Sequence, residues 1–358
     1  MEPADRTVMS ACHVYRFPMR DPDDMSGLAG LLAQGKIAAA DIKAVFCKTE
    51  GNGLNNDWTR LFVDRAVRMT IAAGDGAEAE ALRRAILVLI SGGSEGVVSP
   101  HMLVFAAAPP TGTEPGLALG MDIRDLAPGD LARKSHASIT ADMVRAAMKA
   151  TGAEDPSQVG FVIVRAPADA AMGASSPRVR AAVSLGVAQA LGEIAGDIDE
   201  AAFLKDFSKF CGRVFVVARD DTTTQQVIVL ANASGGTKGL RVAAGTLRDP
   251  LDSPGVAAVL AKLGIAAAPQ ASPDASARIV ASLSKGDPPG DGKIRGARHT
   301  MNGDGDIHSH RHGRSAYGAM IASVIGHSYC FVSGGAEHHG PDNGGLIALI
   351  ARDEGFSV

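Results

Sequence analysis

Serines on glycine turns and basic residues at strand ends recur along this 358-residue chain. Ser-Gly-Gly stands at Ser91, Ser234 and Ser333. Short β-rich runs ending in a basic residue lie at 42–48 (IKAVFCK), 159–165 (VGFVIVR) and 278–285 (RIVASLSK). A serine on a Gly-Gly turn presents its hydroxyl beside backbone N–H groups that can stabilise an oxyanion. A lysine ending a neighbouring strand can reach that hydroxyl, and burial or nearby cations lower its pKa until it serves as a base. An arginine adds a planar fork of donors suited to the carbonyl oxygens of a flat polar ring. The chemistry these residues suggest is attack by an activated serine on a carbonyl. Each pair alone is weak evidence, because Ser, Lys and Arg are common surface residues. Their return in the same order is the stronger signal.

That return implies a repeat. Lys48, Arg165 and Lys285 stand 117 and 120 residues apart, so the unit has the size of a small domain. Each copy opens with an alternating strand, at 11–17, 117–123 and 240–247, followed by helix-period stretches at 24–34, 140–151 and 253–263. The strand with the basic end comes next. An arginine then opens a second helix, at 60–73, 180–194 and 314–325. Strands 85–90 and 328–332 lead to Ser91 and Ser333, and closing strands lie at 102–107, 227–231 and 346–351. The expected fold is mixed α/β, with repeats at 1–108, 115–238 and 239–358 set around a pseudo-threefold axis. Residues 48, 165 and 285 are expected to meet in one central cavity.

The middle copy departs from its neighbours. Ser91 and Ser333 precede the last strand of their copies, while Ser234 follows its own. Glutamate stands four residues after each outer serine, at Glu95 and Glu337; counting back four from Asp221 gives Val217, beside Ala218. Strand order therefore favours Val217 or Ala218 at the serine position, with Ser234 a decoy; the alternative is that Ser234 itself is the middle serine. Arg165 stands at the lysine position, and a guanidinium stays protonated, so it cannot act as a base.

Several stretches carry a family resemblance. Lys48-Thr-Glu-Gly-Asn-Gly-Leu-Asn-Asn-Asp-Trp-Thr-Arg60, the run from Ser91 to His101, Arg298-His-Thr-Met, Arg311-His-Gly-Arg314 and Ser333-Gly-Gly-Ala-Glu-His-His-Gly-Pro resemble cyanuric acid hydrolases and barbiturases. The likeness covers essentially the whole chain and is loosest in the middle repeat. It implies ring-opening hydrolysis of a C–N bond in a cyclic amide at one central site, with three Ser–Lys pairs, three substrate-gripping arginines and usually a homotetramer. Carried over by motif, Lys48 with Ser91 and Lys285 with Ser333 are the catalytic pairs. Arg60, Arg180 and Arg314 hold substrate, with the backbone of Gly92 and Gly334, and Arg165 faces it from the middle copy. The resemblance also implies a structural divalent cation, magnesium or calcium, at Asp287, Ala336, His339, Gly340, Pro341 and Gly344; carboxylate and carbonyl oxygens suit such an ion. Aspartate replaces the usual glutamate at 287. The family's nucleophilic pair is the middle one, and here both of its members are changed. Ser333 with Lys285 is the expected replacement, because the cation and Gly340-Pro341 would preorganise that loop. The alternative is a paralogue that binds a related ring without opening it.

Composition narrows the remaining classes. A hydrophobic content of 46% supports a large core, and a net charge of −4 with mixed signs offers no basic face to nucleic acid. The longest apolar runs are too short for a bilayer, and the first residues carry no secretory pattern. Cys12, Cys47, Cys211 and Cys330 form no C-x-x-C pair, which suits a reducing cytoplasm. Asp304, Asp306, His308, His310 and His312 crowd one loop but lack the bidentate glutamate of an EF-hand, and read as solvated. Gly51-Asn-Gly53 lacks the phosphate-loop order. Ser99-Pro-His101 reads as a structural turn, His338 and His339 as part of the cation loop. Residues 109–116 read as a turn-rich linker, with 249–254 in a similar part before the third repeat's helix.

Overall fold

Alternation along the strands decides what faces the centre of the molecule. The computed structural model describes residues 10–54, 56–72, 81–82, 84–289, 291–301, 309–341 and 344–356. The first repeat runs β1 (Ser10–Pro18), α1 (Ser26–Ala33), β2 (Ile42–Thr49), α2 (Trp58–Ile71), β3 (Leu87–Gly92) and β4 (His101–Ala108). The second runs β5 (Pro115–Asp125), α3 (Lys134–Ala150), β6 (Val159–Pro167), α4 (Ser176–Ala190), β7 (Val214–Arg219) and β8 (Thr224–Ser234). The third runs β9 (Leu240–Leu247), α5 (Ser253–Lys262), a short α6 (Pro273–Arg278) and β10 (Ile279–Gly286). It continues through the small hairpin β11 (Lys293–Ile294) and β12 (Ala297–Arg298) to α7 (Ser309–Ile325), β13 (Phe331–Ser333) and β14 (Gly345–Arg352).

Each repeat orders its strands third, second, fourth, first: β3-β2-β4-β1, β7-β6-β8-β5 and β13-β10-β14-β9. The second and third strands of a unit are parallel, and the other pairs antiparallel. The first two units join edge to edge through β1 and β5, while the third forms its own sheet. The register slips at one place in each copy, between Ile42 and Ala44, Val159 and Phe161, and Ile279 and Ala281. A bulge bends and twists its strand. Here it recurs at the same distance from Lys48, Arg165 and Lys285.

In β2, Ala44 and Phe46 enter a central core, whereas Val45 and Cys47 pack beneath the helices. In β6, Phe161 and Ile163 point inward and Val162 and Val164 outward. The central core draws on all three repeats, and each repeat has a second apolar layer under its own helices. Both faces of these strands are covered, so they read as near-continuous apolar runs. No described helix is long and apolar enough to cross a membrane.

Some element boundaries differ from the sequence-based expectation. Helix α3 starts at Lys134 rather than 140, because His136 is buried against Gln225 of β8 at 2.8 Å and Thr140 Oγ1 donates back to the His136 carbonyl. Tertiary packing there outweighs a locally poor helix former. Arg60, Arg180 and Arg314 lie inside their helices rather than opening them. Strand β8 extends to Ser234, whose partner across the sheet is Pro115.

Candidate active site

Side chains two apart on a strand share a face. Lys48, Arg165 and Lys285 therefore face the same way as Phe46, Ile163 and Leu283 of the central core. The parallel registers place Lys48 opposite Ser91, Arg165 opposite Val217 and Lys285 opposite Ser333. One step below, Phe46, Phe215 and Phe331 form a triangle with ring centroids 5.1, 5.8 and 6.2 Å apart. It is an apolar floor assembled from three repeats. Ser234 stands eight residues along β8 from Gln226, the cross-strand partner of Arg165. At the usual rise that is about 26 Å away.

The first arm is closed. Lys48, 2% exposed, donates to Ser91 Oγ at 3.2 Å and pairs with Glu95 at 3.0 Å. Glu95 also meets Arg314 from the third repeat at 3.0 Å. Ser91 donates its proton to the Val332 carbonyl at 2.8 Å. Burial pushes the Lys48 ammonium down to about 8, against the opposing pull of Glu95. Gly92 is required by close approach: a Cβ there would come within 2.4 Å of the Asp57 carboxylate. The buried His101 is the cross-strand partner of Lys48, and its Nδ1 is 2.8 Å from the Ser99 carbonyl. Burial takes this imidazole down to about 3, so it is neutral.

The third arm is arranged differently. Lys285 is buried, donates to the Gly335 carbonyl at 2.7 Å and lies 5.2 Å from the centre of the Phe215 ring. Among the described residues it has no carboxylate within ion-pair distance. Burial and, second, the Arg180 guanidinium bring its pKa down to about 7. Arg180 grips Glu337 with two parallel bonds of 2.5 and 2.8 Å, which hold that carboxylate at about 2 despite its burial. Ser333 is partly exposed, and among the described residues its hydroxyl has only a long 3.4 Å contact, to the Gly334 carbonyl. Gly335 has φ +78°, and a Cβ there would meet Arg180 at 2.7 Å, so this turn requires glycine twice over.

The second arm has neither lysine nor hydroxyl. Arg165 pairs with Asp221 at 2.9 Å, and Arg219 shares the same carboxylate at 3.3 Å. Val217 packs against the central core. Arg60 lies 3.8 Å from Asp57 and donates to the Leu54 carbonyl.

The proposed cation loop has oxygen donors but an unexpected internal order. Asp287 Oδ2 accepts from the N–H groups of Gly335 and Ala336, each at 2.8 Å, and so ties β10 to the Ser333 turn. A Cβ on Gly344 would come within 2.4, 2.9 and 3.0 Å of the carbonyl oxygens of Leu247, Pro341 and Arg248. A carboxylate and backbone carbonyls are the donor types that a hard cation takes. Among the described residues no three His, Cys, Asp or Glu side chains cluster as a softer metal would need. The histidines serve another purpose. His339 Nε2 accepts from Val216 N at 3.1 Å while its Nδ1 meets the Glu337 carbonyl at 2.7 Å. His338 Nε2 accepts from Leu204 N at 3.1 Å and its Nδ1 meets the Lys209 carbonyl at 2.7 Å. Both rings pin the third repeat's loop to the second repeat, so His339 and Gly340 could reach an ion only through backbone oxygen. Asp304, Asp306 and His308 fall outside the described residues.

Glu95 and Glu337 enter the sequence reading only as spacing markers, yet each is the hub of an ion pair that crosses a repeat boundary. Their constant distance from the serine was the available signal. His101, equivalent in register to Gln226 and Leu346, had no such signal.

Comparison with known proteins places this geometry in context. The model of a family described as "Amidohydrolase ring-opening protein" matches residues 13–352. A cyanuric acid amidohydrolase of Azorhizobium caulinodans is 37% identical over 96% of this chain and 99% of its own length. A cyclic amide hydrolase of the same organism is also 37% identical, over 95% of this chain and 99% of its own. A solved cyanuric acid hydrolase, described as an innovation by structural concatenation, superposes with a TM-score of 0.86 at 34% identity, covering 96% of this chain and 100% of that one.

Proposed function

The chain belongs to the ring-opening amidohydrolases, and from that premise we propose that it opens a small cyclic amide or imide, cyanurate- or barbiturate-like, with Ser333 as nucleophile and Lys285 as its base. The observation that carries the assignment is the contrast between the two intact arms. Lys48 is a donor twice over, to Ser91 and to Glu95, and an ion-paired ammonium has no lone pair to offer. Lys285 has no carboxylate within ion-pair distance among the described residues, and burial with the nearby Arg180 guanidinium lowers its pKa to about 7 against the opposing pull of Glu337 and Asp287. In the reaction, Lys285 takes the Ser333 proton as Oγ adds to a ring carbonyl. The C–N bond then breaks and the proton passes to the departing nitrogen, leaving an ester of Ser333. Water adds to that ester, Lys285 accepts its proton, and the proton returns to Oγ as the opened product leaves.

The second glycine of each turn is committed, Gly93 N–H to the Thr49 carbonyl at 3.1 Å and Gly335 N–H to Asp287. The Gly334 N–H is therefore our assignment for the oxyanion donor, with Gly92 as its counterpart on the first arm. Arg60, Arg180 and Arg314 surround the ring; Arg180 and Arg314 do so while locked to Glu337 and Glu95, which fixes their orientation. A magnesium or calcium ion at Asp287 and the 336–344 loop belongs to the same proposal. Its part is to hold the Ser333 turn rigid.

The loss of the second arm's pair favours one other reading, a protein that binds the ring without cleaving it. A panel of cyclic amides and imides separates the two, with ring opening and ligand-induced thermal shift followed together. Turnover of a panel member supports the hydrolase; a large shift with no turnover supports the binder.

A further inference from the structure

We propose that the outward face of α2 is where two copies of this chain meet, helix against helix about a twofold axis. The inference is independent of the ring-opening reading. Val63, Val67 and Ile71 turn the inner face of α2 into the apolar layer of the first repeat. The opposite face carries Trp58, Leu61, Phe62, Arg65 and Met69. On a helix these positions fall within an arc of about 100°, so they form one continuous stripe. Trp58 is 75% exposed, Leu61 53%, Phe62 52% and Met69 59%. Among the described residues no other α-helix exposes a large apolar side chain.

The other repeats show how this position is handled elsewhere in the chain. Aligning the helices on Arg60, Arg180 and Arg314 sets the stripe against Arg178, Ala181, Ala182, Leu185 and Gln189 of α4. There the chain covers the face itself, with residues 191–213. Ile198 and Phe203 form one apolar cluster with Ala181, Ala182 and Leu185. Arg178 lies over the Phe203 ring at 5.4 Å, and Gln189 donates to the Gly196 carbonyl at 3.1 Å. In α7 the same positions are His312, Ser315, Ala316, Ala319 and Ser323, small or polar as suits a helix facing water. Helix α2 has the large apolar residues of a covered face, and no described residue covers them.

A second copy fits this face in composition, area and symmetry. Trp, Phe, Met and Arg are enriched in protein interfaces, where Lys, Glu and Asp are depleted. Arg65 is the only charge in the stripe. A whole large side chain offers about 200 Å², so the four apolar ones leave about 500 Å² bare, at the upper end of what a monomer exposes in one patch. Two copies together would bury about 1,000 Å², which is the apolar share of a standard interface of about 1,600 Å². A single straight row also meets itself under a twofold rotation, with the middle of the stripe beside the axis and its ends crossing over. The net charge of −4, with both signs mixed, sets no strong repulsion between copies.

The test is sedimentation mass across a range of micromolar concentrations, on the full-length wild type and on Phe62→Glu. Met172→Glu and Leu251→Glu are the controls, because those side chains are exposed to the same degree away from α2. The wild type should sediment as a dimer or an even multiple of the chain. Phe62→Glu should weaken that association about a hundredfold or more, while both controls keep the wild-type mass. Arg65→Cys reads the same contact without removing an apolar group, and so serves if Phe62→Glu does not fold. A short bismaleimide should join two chains at position 65, and Met172→Cys under the same conditions should stay unjoined. The native cysteines Cys12, Cys47, Cys211 and Cys330 are buried, which keeps the background low. A wild type that is monomeric at every concentration overturns the proposal. So does a folded Phe62→Glu with the wild-type mass, or a yield of joined chains at position 65 no higher than in Met172→Cys.

Discussion

Two lysines in similar frames differ because of one carboxylate. Glu95 reaches Lys48 at 3.0 Å, whereas Glu337, the same residue in the repeat pattern, is taken up by Arg180 and leaves Lys285 with a carbonyl as its partner. A base must be neutral to act, and Lys285 becomes neutral as pH rises through about 7. The value of kcat/KM should therefore climb about tenfold per pH unit below that point and level off above it. A pH–rate profile flat from 5 to 8 would remove Lys285 as the base. Lys285→Arg keeps the charge but cannot release a proton in this range, and its ring opening should be lost at every pH tested. The Ser–Lys–Arg combination was legible in sequence from its recurrence. Which lysine is caged was not, because that depends on whether a glutamate four residues past the serine turns to its own lysine or to another repeat's arginine.

At the scale of elements, the repeats are fastened by side chains from the serine loops reaching into the next repeat's helix. Arg180 on α4 and Glu337 form such a fastening, and truncating one member leaves the other buried without its charge partner. Glu337→Gln should cost about 3–5 kcal/mol, read by denaturant unfolding. Asp221→Asn, in the exposed counterpart, should cost less than about 1 kcal/mol. Equal effects would mean that the two pairs do not differ in burial. The 336–344 loop makes a separate prediction. If a cation sits there, the wild-type melting temperature should fall with a chelator and recover with magnesium. Asp287→Ala should melt lower and respond to neither. Its lower melting temperature alone follows from the lost bonds to Gly335 and Ala336, so a wild-type protein indifferent to chelator is the result that would refute the ion. The order of these elements was legible in the sequence, since β2, β6 and β10 are short apolar runs, buried on both faces, that stand out between polar turns. Sequence periodicity misplaced the start of α3 and the helical depth of Arg180 and Arg314, which are set by packing against β8 and by the ion pairs between repeats.

Across the whole molecule, three copies of one unit surround a shared core, and only two keep the reactive pair. The bulge before each basic residue and the common strand order let the second arm be aligned without ambiguity. Val217, not Ser234, stands opposite Arg165. Sequence spacing pointed to Val217 or Ala218 but could not choose between them, because one residue of register in a strand exchanges its faces. Restoring the pair with Arg165→Lys and Val217→Ser should raise turnover of unsubstituted rings, and no gain would show that the second arm now serves another purpose. The most direct measurement of the central claim compares ring-opening kcat/KM for Ser333→Ala, Ser91→Ala and Ser234→Ala on the best member of the cyclic amide and imide panel. Ser333→Ala should lose about a thousandfold or more. Ser91→Ala should lose less, and Ser234→Ala should stay within about twofold of wild type, since surface substitutions far from the site have small effects. Loss of activity in Ser234→Ala as complete as in Ser333→Ala would contradict the account, and would place the nucleophile at the far end of β8.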